Sequence, residues 1–194
     1  MRFEHTVLFI AVAIAGAGCQ SAVGQALPKS LAGNDPDSQL AFWHTLPTRK
    51  VVSNDEAFHA LLLFVDSEDS SGDYIDRMRL LKRKKLLPAD FQEPAEFAAY
   101  RGTLAVVLVQ ALAIRGGVTM HVVGAQPRYA VREMVYAGLF PPSSPQQVFS
   151  GAQLLGIIGR AEDYQRDAVS GTAVLTADDA SMGLLNAVPP IKVH

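Results

Sequence analysis

The sequence predicts a mainly α-helical fold: helix–loop–helix pseudo-repeats packed around one core, with a flexible N-terminal tether and a C-terminal tail. Three observations predict it. Apolar stretches in the middle of the chain carry serine capping boxes at two of their starts and close at glycine or proline, as helices do. The pattern returns with a period near 50 residues. Hydrophobic residues make up 49% against 19% charged, enough apolar surface for a core in one segment of about 120 residues, 43–164.

Residues 1–18 read as an export signal. Arg2 opens them, Glu4 partly cancels its charge, and eleven apolar residues run from Val7 to Ala17. That length fits a signal core and falls short of the roughly 20 residues a membrane-crossing helix needs. Gly16-Ala17-Gly18 then leads into Cys19, the single cysteine of the chain. These four residues resemble the lipobox of bacterial lipoproteins, whose cysteine is acylated and becomes the mature N-terminus. That family prefers leucine where Gly16 stands, and ordinary signal-peptidase cleavage after Gly24-Gln25-Ala26 is the competing reading. The resemblance implies an exported protein, held on a membrane surface by a palmitate-type lipid at Cys19. Gln20 is not the aspartate of an inner-membrane retention signal, so the outer membrane or periplasmic face is favoured over the cytoplasm. Once Cys19 is acylated no thiol remains, which excludes a cysteine nucleophile, a thiolate metal site and a disulfide.

Residues 19–42 are rich in serine, glycine, proline, asparagine and aspartate and read as a lipidated N-terminus and tether. The first helix opens at Ser53-Asn54-Asp55-Glu56, a capping-box pattern, and Ala57 to Val65 continues it, apolar apart from His59. The second runs from about Asp73 to Lys85, with Tyr74, Ile75, Met78 and Leu81 on one face and Pro88 beyond its end. A third begins near Arg101 and carries Leu104 to Ile114, with Gln110 the single polar interruption. Val118 to Val123 is a short strand or an extended link. Pro127 suits the first turn of a fourth helix with Val131, Met134 and Val135 inward and Gly138 as its cap. Ser150-Gly151-Ala152-Gln153 opens a fifth, with Leu154, Leu155, Ile157 and Ile158. Residues 165–194 show no helical order and read as a flexible tail ending near Pro189-Pro190.

These helices repeat. Lys85-Leu86-Leu87-Pro88 matches Gly138-Leu139-Phe140-Pro141, and an offset of 50 aligns Leu104 with Leu154, Val107 with Ile157, Leu108 with Ile158 and Ala111 with Ala161. Ser53 to Val65 matches the second helix of a further, partial copy. One such unit cannot bury its own apolar faces, and stacking units does. The unit resembles the S-layer homology module of bacterial cell-envelope proteins, over residues 51–164 at most. Gly138-Leu139-Phe140 and Phe149-Ser150-Gly151-Ala152-Gln153 match that family's Gly-apolar-apolar and Thr-Arg-Ala-Glu signatures in outline. Leu86-Leu87, Phe91 and Arg101 are the earlier counterparts. In that family the signature arginine contacts an anionic cell-wall polysaccharide, which suits the fixed donor fork of a guanidinium. Here Arg101 alone keeps it; Gly151 and Asn54 stand at the other two positions.

Other chemistry is sparse. His44, His59, His121 and His194 show no helical metal-ligand spacing, so no metal and no cofactor are expected. His59 reads as a hydrogen-bonded core histidine. Asp66, Glu68, Asp69 and Asp73 form an acidic loop without the spacing or closing glutamate of an EF-hand. Lys82-Arg83-Lys84-Lys85 sits where cations oppose a helix dipole, or forms an anionic-glycan patch together with Arg101. Gly116-Gly117 reads as a cap and turn, Ser143, Ser144 and Ser150 lack a His–Asp arrangement, and Trp43 reads as packing over the first helix. A formal net charge of −2 argues against nucleic acid as a partner. The expectation is a lipid-anchored envelope protein, structural or interaction-mediating and without catalytic activity. Its partners would be the membrane through Cys19 and an anionic cell-wall polymer or envelope protein. The alternative is a periplasmic binding module for an anionic glycan or peptide.

Overall fold

The computed structural model describes residues 26–114 and 124–185, with side chains as far as Ser170. Six helices lie among them: α1 Pro36–Thr45, α2 Asn54–Asp66, α3 Tyr74–Arg83, α4 Arg101–Ala111, α5 Pro127–Tyr136 and α6 Gly151–Leu185. In chain order they form three successive helix–loop–helix segments, α1–α2, α3–α4 and α5–α6. The protein is mainly helical, and no strand occurs among the described residues beyond two single bridges.

The local signals act as their chemistry requires. Ser53 and Glu56 form a reciprocal capping box at α2: the Glu56 N–H donates to Ser53 Oγ at 3.2 Å and the Ser53 N–H to Glu56 Oε2 at 3.1 Å. Asp73 caps α3 by accepting from the Asp76 N–H at 2.9 Å. Ser150 and Gln153 repeat the box at α6, at 3.1 and 3.3 Å. The two matched turns share one geometry. Past α3, Lys85 turns left-handed at φ 59, and the Leu86 N–H reaches back to Leu81 O at 3.0 Å. Past α5, Gly138 turns left-handed at φ 74, and the Leu139 N–H reaches back to Met134 O at 2.9 Å. Both are Schellman closures, and each folds the next two apolar residues under the helix end.

The helix starts are tied in a closed cycle. Main-chain N–H groups of Asn54 and Asp55 donate to Phe97 O and Ala95 O at 2.8 and 3.1 Å. One step on, Arg101 and Gly102 donate to Gln147 O and Pro145 O at 2.8 and 2.9 Å. Gly151 closes the cycle by donating to Arg49 O at 2.9 Å. Amide donors at a helix start have no partner inside the helix, and here the starts of α2, α4 and α6 each find a carbonyl on the segment leading into another of the three. The aligned positions Asn54, Arg101 and Gly151 therefore do the same job. Packing follows the cycle: α2 lies on α3, α4 on α5, and α6 on the turn Leu46–Thr48 that follows α1. Leu61, Leu62, Leu104, Leu108, Leu154 and Ile157 are fully buried in a single core. Each such side chain contributes about 1.5–3 kcal/mol of burial.

Four expectations are corrected. The tether does not extend to residue 42. Leu27 is buried, its N–H donates to Asp55 Oδ2 at 3.0 Å, and α1 starts at Pro36 behind an Asp35 cap. Phe42 on α1 enters the core, so α1 supplies the first helix that the partial third copy lacked. The face of α3 is rotated: Tyr74, Arg77 and Leu81 are buried, whereas Ile75 is 42% exposed. Spacing of three and four residues puts Arg77 on the inner stripe, where its charge has buried partners. Finally, the chain continues as helix α6 to Leu185, so helical order does not stop at 164. The packed part ends at Ala161, and residues 162–170 are exposed on every side. Val118 to Val123 lies outside the described residues.

Candidate functional site: a buried ion cluster beside the ring

Four ionisable side chains from two helices and their connecting loop meet inside the protein. Asp55 lies in the first turn of α2, His59 one turn later, Asp69 in the loop and Arg77 on the inner stripe of α3. Arg77 bridges the two carboxylates: Nη1 donates to Asp55 Oδ1 at 2.7 Å, and Nε donates to Asp69 Oδ2. His59 Nδ1 lies 2.6 Å from the same Asp69 oxygen. Burial alone would raise the Asp69 carboxyl, but hydrogen bonds from His59 and Arg77 and the Arg77 charge hold it at about 2. An ionised Asp69 only accepts, so His59 carries its proton on Nδ1.

The cluster clasps chain segments that are far apart in sequence. Asp55 Oδ2 takes the Leu27 N–H, and Asp69 Oδ1 takes the Ser71 N–H at 3.0 Å. Asn34 pairs with the Asp69 main chain in both directions, at 2.8 and 2.7 Å. His59 and Asp69 have fully buried side chains, and the Phe42 ring meets the imidazole edge to face at 4.6 Å. His59 Nε2 and Ser71 Oγ lack a hydrogen-bond partner among the described residues. A dyad sealed in this way holds segments together and cannot meet a substrate unless the fold opens.

The basic residues singled out from sequence do not converge. Arg101 is buried at the ring: its guanidinium donates to Gln153 Oε1 at 3.1 Å and to Val148 O at 3.4 Å. It also stands 5.1 Å over the Phe149 ring, and desolvation lowers its pKa from the ordinary value. All of these contacts are at the start of α6. Lys82 Nζ donates to Phe91 O at 2.6 Å, and Lys84 pairs with Asp66 at 2.8 Å. Asp66 closes α2, whose other end is in the ring, about 18 Å away at 1.5 Å per residue. Arg83 and Lys85 are exposed. Arg101 and the Lys82–Lys85 run therefore serve two separate places, and the arginine's Nε and Nη2 are engaged within the protein.

The acidic loop is also divided. Asp69 turns inward, Asp66 takes Lys84, Asp73 caps α3, and Glu68 is exposed. No group of three or more potential metal ligands forms among the described residues. Trp43 packs on Phe42 with ring centroids 5.0 Å apart. His44 is exposed on α1. Cys19, Gly116-Gly117, His121 and His194 lie outside the described residues, and no described helix is long and apolar enough to cross a membrane.

Sequence reasoning missed Asp55, Asp69 and Arg77 as one cluster. The available signal was Arg77 on the apolar stripe of α3, between Tyr74 and Leu81. No protein-family model, curated protein or solved structure matches this chain.

Proposed function

We propose that this is an exported, lipid-anchored protein of the cell envelope that serves as a structural or interaction-mediating scaffold, without catalytic activity. The observation that carries the reading is the closed cycle of helix starts, locked by main-chain bonds at Asn54, Arg101 and Gly151. A ring that satisfies its helix-start amides internally and seals its ionisable cluster is built for rigidity and for presenting outer surfaces. The Gly16-Ala17-Gly18-Cys19 leader supplies the address, with acylation of Cys19 as the link to the membrane. The repeat of one helix–loop–helix unit supports the likeness to S-layer homology modules. Binding of an anionic wall polymer through Arg101 has less support, because that guanidinium is engaged with Gln153, Val148 and Phe149.

Mass spectrometry of the mature N-terminus tests the reading. A diacylated or triacylated Cys19, lost together with membrane fractionation in Cys19→Ala, is the expected result. An unmodified N-terminus at Leu27 overturns the anchor.

A further inference from the structure

The outer side of α3 and the loop that follows it enclose an open groove of ≈ 470 Å³. Its floor is apolar, made by Ile75, Met78 and Pro94, and its charged lining residues are Asp73, Glu93 and Glu96. Among the described residues no lysine or arginine lines it. A second cavity of ≈ 310 Å³ shares Gln92 and Glu93 with the first, adds Asp90, and again has no cationic lining among the described residues. The size is that of sites which bind ligands, and the walls are fixed in advance. The Tyr74 hydroxyl donates to Glu93 O at 2.6 Å, Asn54 Nδ2 to Pro94 O at 2.9 Å, and the Asp55 N–H to Ala95 O at 3.1 Å. The negative field is felt locally: burial first, then the charges of Asp55, Glu93 and Glu96, push the Tyr74 phenol up.

We propose that this groove is a docking site for an extended cationic peptide segment of a partner protein, one in which an aliphatic or aromatic side chain is flanked by lysine or arginine. The apolar residue would cover Ile75, which the chain leaves 42% exposed, and the flanking cations would meet the exposed Glu96, with Asp73 beside it. An anionic polymer is repelled by the same carboxylates. This gives the interaction role proposed above a partner class and rests on that role for its biological sense. Its measurement is independent of whether Cys19 is acylated.

The test is fluorescence anisotropy with the purified full chain and a labelled nonapeptide of alternating lysine and leucine, beside its glutamate–leucine counterpart. The lysine peptide binds, weakens as salt rises, and loses at least about tenfold in affinity in Glu96→Lys. Ile75→Asp separates a groove from simple charge attraction. It makes the surface more acidic, yet it is expected to weaken binding at least about tenfold by spoiling the floor. Both positions are solvent-facing, and far-UV circular dichroism reports whether each variant keeps its helices. Tyr136→Ala, on α5, leaves affinity unchanged. Failure of the lysine peptide to bind the parent chain overturns the proposal. So does equal binding of the glutamate peptide, or tighter binding by Ile75→Asp.

Discussion

Arg77 Nη1 donates to Asp55 Oδ1 across 2.7 Å with both side chains buried, and the same guanidinium holds Asp69 through Nε. Two carboxylates inside a protein need that cation, because each alone would lose its hydration without compensation. Arg77→Leu is therefore expected to destabilise the fold by about 3–5 kcal/mol in urea unfolding. Arg77→Lys should not restore it, since a single ammonium cannot donate in a fork to both acids. Full rescue by lysine would show that charge alone matters.

Asp69 sets an acid limit. Its folded pKa is about 2 against an ordinary 3.8, so the ionised form stabilises the fold. That contribution is complete above about pH 4 and is lost as pH falls toward 2; integrated, it is worth about 2 kcal/mol. Urea midpoints measured between about pH 5 and pH 2 should fall more steeply in the parent than in Asp69→Asn. Parallel curves would count against the assignment.

At the alkaline end the same linkage runs through Tyr74. Burial, then the charges of Asp55, Glu93 and Glu96, raise the phenol above its ordinary value of 10.0. A raised folded pKa makes stability fall once the unfolded chain begins to ionise, above about pH 10. Tyr74→Phe removes that slope while giving up about 1 kcal/mol from the Glu93 O hydrogen bond. Stability curves crossing near that pH are the expected signature.

Two glycines of α6 should respond in opposite directions to the same substitution. A Cβ on Gly151 would lie 1.6 Å from Leu46 O, a main-chain atom at the closure of the ring. Gly151→Ala should destabilise by roughly 3 kcal/mol, at the upper end of overpacking effects. A Cβ on Gly159 meets nothing within 4 Å, so Gly159→Ala should stabilise by about 0.5–1 kcal/mol through helix propensity. Thermal melts of the two variants check both signs.

Lys85 occupies the left-handed position that Gly138 fills in the matching turn. Relieving its Cβ strain with Lys85→Gly should stabilise the protein by about 1 kcal/mol. No gain on melting would mean that the lysine side chain offsets its backbone.

Signals carried by neighbours in sequence were legible. Ser53 with Glu56, Ser150 with Gln153, and the paired turns after Leu81 and Met134 each use residues within one or two helical turns. The repeat alignment even matched Asn54, Arg101 and Gly151, though reading Gly151 as a missing arginine overlooked the Leu46 carbonyl against it. Helix α1 was missed because its polar composition gives little amphipathic contrast. Asp35 as cap and Pro36 in the first turn were the overlooked start signal. The ion cluster was hidden for a different reason. Asp69 looks like any solvated loop acid until Arg77 and His59, eight and ten residues away, arrive from two different helices.

If Cys19 is acylated as proposed, the hold of Asp55 on the Leu27 N–H would also set how far this body can stray from the lipid surface. Composition alone suggested 23 residues between Cys19 and the folded part, yet only residues 20–26, seven in all, precede the clasp. Fully extended, that stretch spans about 25–30 Å, no more than the hydrocarbon thickness of one bilayer. A ring leashed so closely to an acylated Cys19 would search for partners in the plane of its own membrane, and partners deep in the compartment would have to come to it.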